Sequence, residues 1–301
     1  MVNVLLYVVV VLVWGSTWLA IKLQVGDMPV ELSILYRFVL AGMIMFAMLL
    51  ISRRLQALTM RQHVLCFMQG SCLFCFNFYA FYTATGFVTS GLVSVIFSLA
   101  TVFNAFNSWL WFKQRPSAVV LLGAVIGALG VALLFLPEIS AGGSMMLVGV
   151  AWCLLGVAFF SCGNMLSKML QAQQIRPASS NAWAMFYGVL LLLMLVEFND
   201  VTYQLTDDWI YWAALLYLAV PGTVIGFTVY LMLVGRIGSE KAAYATVLFP
   251  VVALSLSTFY EGYQWSLEAF AGLGLVLLGN VVIFTPPAVW HSLSRWQLRR
   301  A

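Results

Sequence analysis

Apolar residues run through this chain in long unbroken stretches, punctuated by short polar segments. Ten runs are each long enough to cross ~30 Å of hydrocarbon as α-helix, which takes roughly 20 residues. They lie near Val4–Gln24, Val30–Ile51, His63–Gly86, Thr89–Phe112, Ser117–Leu136, Met145–Lys168, Ser179–Phe198, Trp209–Val234, Lys241–Tyr260 and Ser266–Pro286. The first run has neither a basic n-region nor a small-residue cleavage site, so it reads as a retained span and not a signal peptide. A repeat organises these runs. Sliding the sequence by 149 positions superposes the segment Ser94–Pro137 on Ala243–Pro286 without a gap. Leu99 then falls on Leu248, Ser108 on Ser257, Gly123 on Gly272, Gly130 on Gly279 and Pro137 on Pro286. The expected architecture is an all-α polytopic membrane protein, its ten transmembrane helices forming two inverted five-helix repeats. The repeats would span residues 1–140 and 141–290, with a basic tail at 291–301.

Composition narrows the class. The chain is 63% hydrophobic and 8% charged, whereas soluble domains are about 25% charged; a soluble globule is excluded. Charge placement sets an expected orientation, because basic loops stay on the cytoplasmic side. Alternate loops carry Arg53, Arg54 and Arg61; Lys113 and Arg115; Lys168 and Arg176; Arg236 and Lys241; and the tail adds Arg295, Arg299 and Arg300. The other loops carry Asp27, Glu31, Glu138, Glu197, Asp200, Asp207, Asp208, Glu261 and Glu268. Both termini are therefore expected in the cytoplasm. Five spans per repeat is an odd number, so the second repeat enters the bilayer upside down. The net charge of +4 is this topological bias and carries no indication of nucleic acid as a partner.

Candidate chemistry sits on the helices. Trp14, Trp18 and Lys22 recur every four residues and share one face of the first helix, and Ser16 with Gly15 allows close approach to its backbone. Arg37 lies about two turns into the second span, where a charge usually faces a bundle interior or a cavity. Either Arg37 and Lys22 receive a carboxylate or another anionic group, or there is an ion pair with Glu31 or Asp27, with Arg37 or Lys22 snorkelling outward. Asn77 and Tyr82 on the third span, Asn104 and Asn107 on the fourth, and Asn164 on the sixth are amides and hydroxyls in hydrocarbon. Such groups need partners, and helix-to-helix contact is their default use. Gly70, Pro221, Gly222 and Pro250 predict helix breaks at mid-depth, which are tolerated where they face protein or a water-lined cavity. Gly123 and Gly127 form a small-xxx-small packing face. The five cysteines (Cys66, Cys72, Cys75, Cys153 and Cys162) lie within spans and read as packing residues, without a metal or redox role.

The Trp14-Gly15-Ser16-Thr17 stretch, Pro29 with Arg37-Phe38, and Ala245-Thr246-x-x-x-Pro250 followed by Glu261 and the Gly272/Gly279 helix together resemble the EamA-type members of the drug/metabolite transporter superfamily. The resemblance covers both repeats. Thr101 stands where that pattern usually has Pro, and Lys113 near a usual acidic position. The resemblance implies a ten-helix inverted-repeat bundle with a central cavity, and often export of amino acids or related metabolites across the bacterial inner membrane. It makes a secondary transporter working by alternating access the expected function. Efflux of drug-like lipophilic cations and metabolite uptake stay open as alternatives. The substrate would be lined by Trp14, Ser16, Trp18, Asn77, Tyr82, Asn104, Asn164, Tyr244 and Thr246, with Lys22 and Arg37 guiding an anionic group. No G-x-x-x-x-G-K-[ST] loop occurs, so direct ATP use is not expected, and no cofactor is called for. No Asp or Glu falls in the middle third of a span, and His63 and His291 sit at the cytoplasmic edge. Facilitated efflux, or proton coupling through Glu31 or Glu261, is therefore expected. An intramembrane enzyme would need a nucleophile with a base in reach, and none is placed at mid-depth.

Overall fold

The computed structural model describes residues 2–26, 28–140, 144–237 and 244–284. Counting a helix interrupted by a π-turn or bend as one, the described residues form ten. These are α1 (Val2–Lys22), α2 (Val30–Ile51), α3 (Met60–Ala84), α4 (Ser90–Phe112), α5 (Ala118–Ser140), α6 (Ser144–Ala172), α7 (Pro177–Phe198), α8 (209–237), α9 (244–260) and α10 (Leu267–Phe284). Helices α1 to α8 each contain an apolar stretch long enough to cross a membrane, and α9 and α10 contribute shorter apolar helices. The protein is an all-α multi-pass membrane protein.

Local chemistry sets the helix ends. The Thr59 hydroxyl accepts from Gln62 N at 3.4 Å while Gln62 Oε1 accepts from Thr59 N at 2.9 Å, a reciprocal cap that starts α3. Asp208 caps α8 through Ile210 N at 2.9 Å, and Pro177 opens α7 where its missing N–H costs nothing. Lys113 ends α4 in the left-handed region at φ 58°, which reverses the chain in the basic turn.

Because these helices are apolar around most of their circumference, hydrophobicity alone does not choose their contact faces. Small residues do, by letting backbones approach. A Cβ on Gly123 would lie 2.6 Å from the Gly279 carbonyl oxygen, and one on Gly130 2.7 Å from that of Gly272. The 149-residue register relates these four glycines to one another, and their pairing runs α5 antiparallel to α10. The second helices behave alike. Glu31 accepts from Asn199 Nδ2 at 2.9 Å, Gly42 faces Met185, and Phe46 stacks edge-on against Trp183 with ring centroids 5.3 Å apart. Numbers rise along α2 as they fall along α7, so equivalent helices are antiparallel and the two halves are inverted. The first helices are exchanged: α1 packs on α8 and α9, and its counterpart α6 on α3 and α4.

Four helices are interrupted at matched positions. A π-turn occupies Ser71–Phe76 in α3 and another Leu218–Ile225 in α8; the repeat register places 71–76 on 220–225. Helix α4 bends at Ser98–Leu99, and α9 changes at Leu248–Phe249 from 3₁₀ to α-helix. Pro250 does not break a continuous helix: it lies in the first turn after that change, where no N–H is required. At its counterpart Thr101, the hydroxyl lies 3.1 Å from both the Ser98 carbonyl and Asn280 Oδ1, so a side chain serves the bend that proline serves in the other half. Gly70 precedes the α3 π-turn in α-helical conformation; a Cβ there would sit 2.2 Å from the Ala184 carbonyl oxygen, so it permits α3 to touch α7.

Candidate functional site

The α8 π-turn joins the two halves. Pro221 has no N–H and a π-turn shifts the backbone register, so local side chains complete its hydrogen bonding. Thr223 donates its hydroxyl to the Leu218 carbonyl at 2.8 Å, and Trp14 of α1 donates its indole N–H to the Gly222 carbonyl at 2.9 Å. The Trp14 ring has Phe227, Tyr230 and Phe249 around it, with centroids 5.2, 5.1 and 5.7 Å away. Room for it comes from Gly226, where a Cβ would be 2.4 Å from Trp14 Nε1. Two residues on, the Ser16 hydroxyl donates to the Leu12 carbonyl at 2.6 Å and receives the Tyr217 hydroxyl at 2.6 Å.

Arg37 reaches the same turn from α2. It is 4% exposed, so it does not snorkel. Its Nη2 donates to Thr223 Oγ1 at a long 3.4 Å, while Nε and Nη1 are buried without partners. The guanidinium lies over Phe78 at 4.5 Å and beside Phe38 at 5.3 Å. Among the described residues no carboxylate pairs with it: Glu31 bonds instead to Asn199, and Asp27 lies outside the described residues. Cation–π contacts return about 2 kcal/mol when desolvated, whereas taking an ion out of water costs several kcal/mol. The Tyr82 hydroxyl is the other polar group beside the guanidinium.

The remaining predicted residues fall in separate places. Lys22 Nζ donates to the Thr85 carbonyl at 2.5 Å, whereas Arg37 donates to Thr223. Trp18 is buried against Phe81 and Phe97 with its indole N–H unpartnered. Asn77 donates to the Gly156 carbonyl at 3.1 Å, and Asn164 to Asn104 at 3.3 Å. Tyr82 is fully buried and donates to Gln24 Oε1 at 2.8 Å. Tyr244 and Thr246 lie on the 3₁₀ turn of α9, and their side chains lie outside the described residues. A cleft of about 590 Å³ opens at the Lys22 end of the bundle, lined by Leu19, Lys22, Phe87, Thr89, Tyr260 and Glu261 among others. There Glu261 accepts Ser90 N at 3.1 Å and the Ser90 hydroxyl, capping α4 across the repeat boundary. Gln24 is the residue that reading the sequence missed. A polar amide at the end of an apolar run marks a span boundary, and only the fold turns it inward onto Tyr82.

Inverted halves with matched helix breaks, and a buried charge gathered on one of those breaks, define the class: a polytopic membrane transporter. The chain belongs to the EamA-like transporter family, whose signature matches residues 1–136 and again 147–285. It is 27% identical over 284 residues to the uncharacterized transporter YoaV of Bacillus subtilis, covering 93% of this chain and 96% of that one. A probable amino-acid metabolite efflux pump of Salmonella typhimurium is 28% identical over 285 residues, covering 91% and 92%. One of the same description from Escherichia coli is 24% identical, covering 97% and 95%. A solved crystal structure shares the fold with a TM-score of 0.65 at 15% identity, covering 93% of this chain and 95% of that one.

Proposed function

We propose that the protein is a secondary transporter that exports amino acids or related small metabolites across the bacterial inner membrane by alternating access, with both termini in the cytoplasm. The observation that carries this reading is the pair of π-turns at matched positions of two inverted halves. Helix breaks at π-turns are natural hinges, and paired breaks between inverted repeats suit a bundle that rocks around a central site. Trp14, Ser16 and Arg37 converge on one of these hinges, so a substrate binding among them would bias its position. Trp18, Asn77, Tyr82, Asn104, Asn164, Tyr244 and Thr246 would line the route, and Lys22 with Glu261 its outer mouth. The description of the Salmonella and Escherichia relatives as probable amino-acid metabolite efflux pumps supports the substrate class. Energy would come from the metabolite gradient itself, or from protons taken up at Glu31 or Glu261.

The test is counterflow and efflux of labelled amino acids from proteoliposomes of the purified protein. Saturable, counterflow-competent efflux above protein-free vesicles is the expected result. Stepwise conductance in planar bilayers without saturation would make the protein a channel and refute the proposal. Uphill flux driven by an imposed pH gradient would select the proton-coupled form over the facilitator.

A further inference from the structure

We propose that the cleft at the Lys22 end of the bundle is a binding site for a zwitterion, with Lys22 taking the ligand's carboxylate and Glu261 its ammonium. This deepens the exporter reading and rests on it only for the source of the ligand, which it restricts to small metabolites with both charges free. The cleft has a volume of about 590 Å³, and it is lined by Lys22, which ends α1, and by Glu261, which ends α9. Each is fixed by the loop that joins α3 to α4. Lys22 Nζ donates to the Thr85 carbonyl at one end of that loop, at 2.5 Å. At the other end, both Glu261 carboxylate oxygens accept from Ser90 N at 3.1 Å, and one also accepts the Ser90 hydroxyl. Thr89 is the N-cap residue of α4 yet makes no side-chain cap bond; Glu261 takes that role from the other half of the chain, which fixes its carboxylate in place. Gly86, Phe87, Val88 and Thr89, between the two anchors, line the cleft as well. Phe87 N and Val88 N both bond back to the Ala84 carbonyl, at 2.9 and 3.1 Å, so the loop is folded well short of the extended limit of about 18 Å for five residues.

Both anchors are neutral groups, so neither cancels the charge it holds. A lysine ammonium has three donors and Thr85 occupies one; an ionised carboxylate has about four acceptor sites and Ser90 supplies two donors. Among the described residues neither Lys22 nor Glu261 has an oppositely charged partner. The cleft therefore presents a fixed cation and a fixed anion, each with hydrogen-bonding capacity left over. That arrangement selects on charge pattern. A ligand with one charge gains from one group and is repelled by the other, whereas a zwitterion meets both with favourable sign. Leu19, Leu23 and Phe87 supply apolar lining for the rest of the molecule. The site is separate from the convergence on the α8 π-turn, since Trp14, Ser16 and Arg37 are not among the residues that line it.

The experiment follows alkylation of a reporter thiol by a charged maleimide in the full-length protein in detergent. Leu23→Cys puts the thiol on the cleft, where Leu23 is 45% exposed. The unsubstituted chain, whose five cysteines are buried or half-buried, gives the background rate. Free alanine supplies both charges, N-acetylalanine the carboxylate alone and alaninamide the ammonium alone; sodium chloride at matched concentration is the fourth arm. The expected result is that alanine slows alkylation with an apparent affinity about tenfold tighter than either singly charged analogue, and that chloride does not slow it. Lys22→Gln and Glu261→Gln, each added to Leu23→Cys, weaken alanine about tenfold, as the loss of one charge-assisted hydrogen bond requires. Alanine then binds like alaninamide in the first variant and like N-acetylalanine in the second. The Gln side chain of the second variant still accepts from Ser90 N, so the start of α4 stays capped. Equal protection of the Leu23→Cys protein by alanine and either analogue would overturn the zwitterion assignment, and no protection would overturn the site. If Leu23→Cys does not fold, the rank order of thermal stabilisation by the same four solutes, in the unsubstituted chain and both glutamine variants, decides the same question. Counterflow of labelled amino acids in proteoliposomes separates the two proposals. Transport without protection refutes the cleft and leaves the exporter, whereas protection without transport refutes the exporter and leaves the cleft.

Discussion

Replacing Trp14 by Phe tests whether α1 is locked to the α8 π-turn as the geometry requires. Phenylalanine keeps an aromatic ring among Phe227, Tyr230 and Phe249 but removes the N–H that reaches the Gly222 carbonyl at 2.9 Å. That carbonyl belongs to a segment containing Pro221, so losing an external donor leaves it under-satisfied at a cost of about 1–2 kcal/mol. In a chain of this size the melting temperature should fall by about 2–6 °C, read by tryptophan fluorescence or a thiol-free dye in detergent. The second perturbation is Gly226→Ala, whose Cβ would stand 2.4 Å from Trp14 Nε1 and 3.1 Å from Cδ1. Overpacking of this kind costs about 1–3 kcal/mol. Both changes act on one contact, so the double variant should be less destabilised than the two separate losses together, with a coupling of at least about 1 kcal/mol. Additivity within about 0.5 kcal/mol would mean that the sites are independent, and the picture of Gly226 as the socket for Trp14 would be refuted.

Other outcomes follow from the same geometry. Gly130→Ala, whose Cβ would lie 2.7 Å from the Gly272 carbonyl oxygen, should cost about 1–3 kcal/mol in thermal unfolding. Gly274→Ala, with nothing within 4 Å, should be neutral or stabilise by up to about 1 kcal/mol through helix propensity. Gln69 Nε2 donates to Asn181 Oδ1 at 2.9 Å in the buried α3–α7 contact. Asn181→Leu alone should therefore destabilise more than the Gln69→Leu/Asn181→Leu pair, since only the single change strands a buried amide. Glu261→Gln should destabilise the fold modestly, by about 1 kcal/mol in thermal unfolding through lost charge at the start of α4, and Glu261→Ala by more, because the Ser90 cap then goes entirely. If Glu261 is also the coupling acid, Glu261→Gln abolishes pH-driven uphill flux in proteoliposomes while counterflow persists.

Much of the fold was legible in the sequence because the bilayer dictates it. Hydrocarbon thickness fixes the length of each apolar run, so the predicted limits of α2 match the observed Val30–Ile51. A constant offset of 149 positions, with five spans in each unit, requires inversion whatever the side chains do. Pro221 announced its break because proline has no N–H to give. The break in α3 was less legible, since Ser71–Phe76 contains no proline. Its neighbour Gly70 carries the explanation only once Ala184 of α7 is placed 2.2 Å from where a Cβ would be. Pro250 was legible as a discontinuity but not as the first turn of a new helix.

The sequence by itself determined the number, length and expected inversion of the helices, because transfer of apolar surface and the hydrogen-bonding limits of the backbone act on every residue wherever the chain goes. Only the tertiary structure decided how the polar residues are partnered. Trp14 and Trp18 share one face of α1, yet one is bonded to the α8 turn and the other is enclosed by α3 and α4 without a partner for its N–H. Asn104 and Asn164 satisfy each other across two halves of the chain, at 3.3 Å. Arg37 could have met Glu31 six residues before it, but α7 brings Asn199 to that carboxylate first. A directional bond depends on which helix arrives opposite, and no local pattern encodes that. Arg37 meets Thr223 of the α8 turn because helices from both halves converge there, a contact no local pattern announces.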